Sequence, residues 1–519
     1  MASPTRASST AITGPKGAIT LAVLLAAVMA VLDISIVNVA LSDIRASYAV
    51  PLDQIGWVST SYMMANVVVI PMTGWLQRRF GFRRYYTTSI LLFTAASALC
   101  GLAWDLPSLV LFRVIQGVGG GAIIPTSQAI LLARYPRQEH TMAGALFGLA
   151  SIMGPLLGPT IGGYIIEISD WHWIFYANVP IGIATAWLAN RVIGEPGFSP
   201  SRAEPDRSGF VLLALGMASL QYVLEEGNRH QWWDSARICA LAAIAVVALV
   251  TFVVHELETP APLVDLRIFA RLDYTAGTLI NFIAGLALFS SAYLFSLFCG
   301  AVMRYTALNI GLVFLAAGTI QLVIMPLLGK FGNRVDERYI LAVGVLLIAW
   351  SFWQNAHLNE RADYATLVYP QMLRSIGLGF VFVSITVLTL SNLPLELQGN
   401  GTGLFNLTRE LGGSVGTAWM GTLLDHRNRM HLHHLAEAIP ANQPIAHEQL
   451  ALVRQSVAGW TISADLGAAQ LAQLRLSLQA LVLAFNDCFL AMMFATAAGL
   501  LLVLALRPRN PVATVEGAH

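Results

Sequence analysis

Charged residues are scarce in this chain. Asp, Glu, Lys and Arg make up 11% of its 519 residues, against roughly 25% in soluble domains, so an ordinary water-facing surface cannot be assembled from it. The net charge is only +1 and no basic arm is present, which removes the electrostatic footprint of a nucleic-acid binder. Cysteine is sparse too: Cys100, Cys239, Cys299 and Cys488 each lie in or beside an apolar run, which argues against a disulfide framework or a zinc motif and makes them packing residues. No cleavable leader is expected, because the first apolar run, Gly17 to Leu41, exceeds the roughly 7–15-residue core of a signal peptide and reads as a retained transmembrane helix. With no nucleophilic or metal-binding constellation and no attached soluble domain, neither an enzyme nor a cofactor is expected.

Apolar sequence fills the space that charge leaves. Hydrophobic residues reach 56% and the mean hydropathy is +0.65, and about fourteen runs are long enough to cross a bilayer as helices of roughly 20 residues. The expected fold is therefore an all-α integral membrane protein. An even number of spans puts both termini on one side; if that side is the cytoplasm, about 18 Lys and Arg lie inside and about 9 outside, the asymmetry expected of inner loops. The chain then divides into a cytoplasmic tail (1–16), a six-helix bundle (17–193), a linker with two extra spans (194–274), a second six-helix bundle (275–506) with an outer loop (425–480), and a second cytoplasmic tail (507–519). That loop carries Leu450, Val453 and Val457, then Leu471, Leu474 and Leu478, at helical spacing, and is expected to be helical rather than disordered. Its His426, His431, His433 and His434 lack the ligand spacing of a metal site.

A few ionisable residues interrupt these runs: Asp33, Arg113, Arg374, Arg409, Glu410 and Asp487. A charge at membrane depth is costly and is retained where it faces a cavity or a partner. Arg113 is followed by Gln116, Gly117, Gly119, Gly120 and Gly121, and a related pattern recurs at Arg374 and Gly377. Each lies some 40–50 residues after a Pro-x-x-Gly step, Pro71 to Gly74 and Pro326 to Gly329, that precedes a basic turn. Such an internal repeat is the trace of a transporter built from two related halves. Asp33 can take a proton from one side and release it to the other, whereas Arg113 stays charged and acts on a nearby carboxylate. Arg374 reads as a packing or gating residue. Arg409 and Glu410 diverge by about 100° on a helix, which disfavours pairing between them; Glu410 is either a second proton site or half of an interfacial ion pair. Asp487, read near the start of the last span, is a helix-capping or interface residue. Gly154, Gly158 and Gly162 share one helix face, suited to close approach by another helix.

These segments resemble a known family. Gly74 to Arg84, with Arg78, Arg79, Gly81 and Arg83, is similar to the loop signature of the major facilitator superfamily, and Leu111 to Gly121 is similar to its fourth-helix signature. Gly154, Pro155, Gly158, Pro159, Gly162 and Gly163 resemble the fifth-helix signature of its antiporters. Leu32 to Leu41, with Asn38, and Trp171 to Gly182, with Asn178, resemble signatures of its fourteen-helix drug:proton antiporter branch, of the EmrB type. The resemblance implies two six-helix bundles plus two inserted helices, alternating access, and export of hydrophobic or amphipathic drugs across the inner membrane in exchange for protons. It implies proton coupling through Asp33, Arg113 and Glu410, a cavity with Asn38, Gln116, Asn178 and Arg409, and a fifth-helix hinge that seals the proton-leak path. It also implies a periplasmic adaptor and an outer-membrane channel as partners. Two departures stand out: Arg78 where the loop signature has an acid, and Ala145 where the fifth-helix signature often has a glycine. The rival readings are a proton-coupled transporter of one specific metabolite, an importer using cation symport, which the fifth-helix signature argues against, and a membrane sensor.

Overall fold

A computed structural model describes residues 12–196, 198, 206–332, 335–391, 393–437 and 464–506. Among them, fourteen long helices follow one another: α1 Lys16–Tyr48, α2 Trp57–Phe80, α3 Phe82–Gly101, α4 Leu106–Arg134, α5 His140–Ile168, α6 Asn178–Val192, α7 Arg207–Glu226, α8 Ala236–Glu258, α9 Leu272–Ala301, α10 Ala307–Phe331, α11 Glu337–Asn355, α12 Tyr364–Leu390, α13 Leu395–Glu437 and α14 Ala464–Val503. Eight of them are long and apolar enough to span a membrane by length and composition alone. The others are shorter or turn polar residues toward neighbouring helices, as α2 does with buried Thr60, Ser61, Asn66, Thr73 and Gln77. Local chemistry starts several helices. Side chains of Asp105, Asp206 and Asp363 accept the amides of Ser108, Gly209 and Thr366, each at 2.9 Å, satisfying donors that the first turn leaves unpaired.

Helices α1 to α6 pack together, with α1 on α5 and α4 between α2 and α3, while α9 to α14 form a second bundle around α9, α13 and α14. The pair α7 and α8 stands between them in sequence and packs against α2. We call the end of the bundle where α1 begins the near end and the opposite one the far end. The two halves meet closely at the near end. A Cβ on Gly74 of α2 would lie 2.6 Å from the backbone of Asn400 on α13, and one on Gly329 of α10 would lie 2.7 Å from the Met142 sulfur on α5. The two Pro-x-x-Gly steps of the sequence repeat thus make equivalent crossings onto opposite halves. Polar contacts reinforce them: His140 bonds Ser391 at 2.8 Å, Gln128 donates to Thr386 at 3.2 Å and Asn406 donates to Gln128 at 2.6 Å.

In the outer segment 425–480, expected to be helical, α13 runs to Glu437 and α14 starts at Ala464; Leu450, Val453 and Val457 lie outside the described residues. Two sequence-based expectations change. Asp487 lies inside α14 rather than at its start, so it caps nothing; it meets His431 of α13 at 2.8 Å and Arg427 at 3.5 Å. Arg409 and Glu410 do approach each other, at 3.4 Å, because two long side chains can bend back across the angle between neighbouring positions.

Candidate functional site

Asp33 lies midway along α1 and is 2% exposed. Its carboxylate accepts hydrogen bonds from two other helices. Arg113 of α4 donates through Nη1 to Oδ2 at 2.7 Å, while Gln116 of α4 and Asn178 of α6 donate to Oδ1 at 2.9 and 2.8 Å. Arg113, 1% exposed, also donates through Nε to the Val58 carbonyl at 3.0 Å and through Nη1 to Gln116 Oε1 at 2.8 Å. Its guanidinium stacks 4.2 Å from the ring centre of Tyr62 on α2. Such a charge pair survives burial because further hydrogen bonds surround it, from Arg113 to the Val58 carbonyl and Gln116 and to Asp33 from Gln116 and Asn178.

The local sequence explains this geometry. Asp105 and Ser108 form a reciprocal capping box that fixes the start of α4 two turns before Arg113; the Ser108 hydroxyl and amide hold the Asp105 carboxyl below its usual range. Gly117 lets α4 press against α2, since a Cβ there would sit 2.5 Å from the Tyr62 carbonyl oxygen. On the other side of α1, Gly154 would meet the Val31 backbone at 2.7 Å, Gly158 faces Ser35 and Gly162 faces Ile36 at 3.2 Å. The glycine face of α5 therefore packs on the segment of α1 that carries Asp33. Gly163 meets nothing within 4 Å, and the side chains of Pro155 and Pro159 lie outside the described set.

The remaining candidates are spread out. Asn38, exposed and about a turn and a half beyond Asp33, accepts from Ser59 at 2.9 Å. Arg409 and Glu410 lie on α13, and Glu410 is within electrostatic reach of Tyr62, the ring stacked on Arg113. At the near end, the φ of +80° at Gly81 lies in the left-handed region, which favours glycine. Glu195 accepts the amides of Phe82 and Arg83 at 2.6 and 3.0 Å there, and Arg83 Nε donates to Asn190 at 3.0 Å. Arg78, where the signature has an acid, is half-buried within electrostatic reach of Asp265. Arg79 ends α2.

Sequence reasoning missed three groups: Ser97, which accepts from Asn178 at 3.1 Å, and two partners of Arg113, the Tyr62 ring and the Val58 carbonyl. Cys100, read as packing, also lies 3.6 Å from Gln116 Oε1. The spacing of Ser97 and Cys100 on one face of α3 was the available signal. Ser291 was missed as well. In the second half Arg374 donates to the Ser291 hydroxyl of α9, and among the described residues no carboxylate pairs with it. The repeat therefore places an arginine against the first helix of each half, with Asp33 facing one and a hydroxyl facing the other.

The family model of the Major Facilitator Superfamily matches residues 23–417. The chain belongs to this superfamily. Within it, the chain is 35% identical over 429 residues to "Multidrug export protein EmrB" of Haemophilus influenzae, covering 82% of this chain and 84% of that one. It is 32% identical over 461 residues to "Colistin resistance protein EmrB" of Acinetobacter baumannii (88% and 90%) and 33% identical over 437 residues to "Fatty acid resistance protein FarB" of Neisseria gonorrhoeae (84% and 86%). Among solved structures, the proton:xylose symporter XylE superposes with a TM-score of 0.56 at 15% identity, covering 80% of this chain and 90% of that one. The human organic anion transporter MFSD10 gives 0.56 at 13%, covering 93% and 99%. Those likenesses establish the fold. This major facilitator is thus a multi-pass inner-membrane transporter of the EmrB type and not an enzyme.

Replacing Arg113 with Lys tests the geometry. A lysine keeps the charge, but one ammonium replaces a fork that reaches the Val58 carbonyl, Asp33 and Gln116 in different directions. Transport by the purified variant in liposomes is expected to fall at least about tenfold, the equivalent of one lost charge-assisted hydrogen bond of about 1.5 kcal/mol. Wild-type rates with Lys would reduce the role of Arg113 to a point charge.

Proposed function

We propose that this major facilitator exports hydrophobic and amphipathic compounds in exchange for protons, with Asp33 as the proton carrier. The carrying observation is the buried carboxylate of Asp33, held by three donors from Arg113, Gln116 and Asn178. A proton on Asp33 cancels the charge that pairs with Arg113 and so weakens these charge-assisted bonds. Those residues belong to α4 and α6, and Asp33 to α1; protonation therefore loosens the attachment of α1 to its own bundle. Contacts between the halves gather at the near end, around Gly74 and Gly329. With that end cytoplasmic, as the basic loops favour, the conformation is outward-facing, with Asp33 held by Arg113, Gln116 and Asn178. The halves 17–193 and 275–506 are the moving bodies of alternating access. Arg409, Glu410 and Asn38 are candidates to meet substrate, and Glu410 for a second proton. The relatives named for drug, colistin and fatty-acid resistance support a broad amphipathic substrate range.

The test uses the full chain in liposomes with an imposed pH gradient, measuring uptake of a fluorescent hydrophobic cation and proton movement together. Coupled fluxes that vanish when the gradient is dissipated are expected; uptake indifferent to the gradient would remove proton coupling.

The adaptor and outer-membrane channel extend the same reading. Helices α13 and α14 project beyond the far end, joined through Asp487 to Arg427 and His431, and Leu474 on the extension is 55% exposed. An exposed apolar helix face outside the bilayer suits docking of an adaptor helix. Replacing the stretch from about Met430 to Leu471 by a short Gly/Ser linker is expected to leave exchange in liposomes intact while abolishing whole-cell resistance. Loss of both activities would assign the segment to the transport cycle.

A further inference from the structure

An elongated cavity of about 960 Å³, open on one side, lies between the outward faces of α2, α3 and α4 and the inserted helix α7. It runs along α2 from Trp57 to Phe80, the length of a 24-residue helix, or about 35 Å at 1.5 Å per residue. Met64 and Met72 of α2 and Val114 of α4 form one wall, while Ala214 and Ala218 of α7 keep the other low. This slot lies on the outside of the first bundle. It is separate from the Asp33 cluster, whose Tyr62 is 1% exposed and turned to Arg113.

An apolar slot of this size facing the bilayer takes up hydrocarbon, because its walls offer water almost no partners. The near-end mouth has a different chemistry. Arg84 and Asn190 line it. Arg84 is exposed, and among the described residues its guanidinium has no hydrogen bond or ion pair, while Arg83 beside it contacts Asn190 at 3.0 Å. The neighbouring carboxylate, Glu195, is occupied by the amides of Phe82 and Arg83 at 2.6 and 3.0 Å. A basic group at the mouth of a membrane-length apolar slot complements a phosphate joined to an acyl chain, and a guanidinium matches phosphate oxygens in geometry as well as charge.

We propose that this slot is a binding site for an anionic glycerophospholipid, with its phosphate on Arg84 and one acyl chain between α2 and α7. The lipid fills the seam by which the inserted pair rests on the first bundle. At the far end the same helix is held by protein contacts instead, Tyr222 packing on Trp57 at 5.3 Å between ring centres and Gln221 donating to Ser414 of α13 at 2.9 Å.

Native mass spectrometry of the delipidated full-length protein, titrated with phosphatidylglycerol or with phosphatidylcholine of equal chain length, tests this. One phosphatidylglycerol is expected to bind at a concentration at least about tenfold lower than phosphatidylcholine, a difference of about 1.4 kcal/mol. Arg84→Glu should erase that preference without preventing phosphatidylcholine binding. Ala214→Trp with Ala218→Trp should remove both lipids by filling the slot. Should the double variant fail to fold, Arg84→Gln in an otherwise native slot still has to lose the preference. Equal binding of the two lipids, or an unchanged preference in Arg84→Glu, would overturn the proposal. So would one-for-one displacement of the lipid by a transported amphipath, which would make the slot a substrate portal.

Discussion

Asp33→Asn is expected to abolish gradient-driven, uphill transport, with a loss of about 100-fold or more, while substrate exchange across a membrane without a pH gradient persists. The substitution keeps the shape of the side chain and an acceptor oxygen for Gln116 or Asn178, yet removes the carboxylate from the cluster of Asp33, Arg113, Gln116 and Asn178. It also leaves the 1%-exposed Arg113 without its counter-charge. Removing one partner of a buried pair typically costs about 3–5 kcal/mol, so a lower melting temperature is expected alongside the transport defect. Stability and coupling separate in the exchange assay: a merely destabilised protein loses exchange and uphill transport together, whereas an uncoupled one keeps exchange. Normal pH-driven accumulation by the Asn variant would remove Asp33 from the mechanism.

Gly154→Leu is expected to have a comparable effect through packing. The first added carbon already lies 2.7 Å from the carbonyl carbon and oxygen of Val31, so α1 or α5 must move before the rest of the side chain is placed. Overpacking of this kind usually costs about 1–3 kcal/mol. Val31 lies two residues from Asp33, so any relief of the overlap displaces the carboxylate from Arg113. Loss of transport, with reduced thermal stability, is expected. Gly163→Leu provides the control, because a Cβ there meets nothing within 4 Å, and it should transport normally. Equal behaviour of the two variants in liposomes would mean that the close contact between α1 and α5 plays no part in transport.

The membrane class and the helices were legible because hydrophobic run length has a direct physical meaning, and so were the charges that break those runs. Asp33 and Arg113 stood out individually. That they meet was not readable, since they are 80 positions apart and the pairing depends on how α1 packs on α4. Asp487 shows the same limit. Its place inside α14 and its pairing with His431 follow from a helix beginning at Ala464, through sequence too polar to register as a span. The sequence repeat placed Arg374 opposite Arg113 in the two halves, but a serine in an apolar helix carries no signal that it will serve as an arginine's partner. Ser291 became visible only once α9 and α12 were packed.

That hydroxyl has an electrical consequence. In the first half, positive and negative charge cancel within a hydrogen bond, so the cluster has little field at a distance. In the second half, Arg374 is 5% exposed and set against a neutral oxygen, leaving a fixed positive potential inside the low-dielectric bundle, where screening is weak. Passage close to α12 is thereby made harder for cations and easier for anions. A single serine in place of an acid makes two structurally similar halves electrostatically unequal.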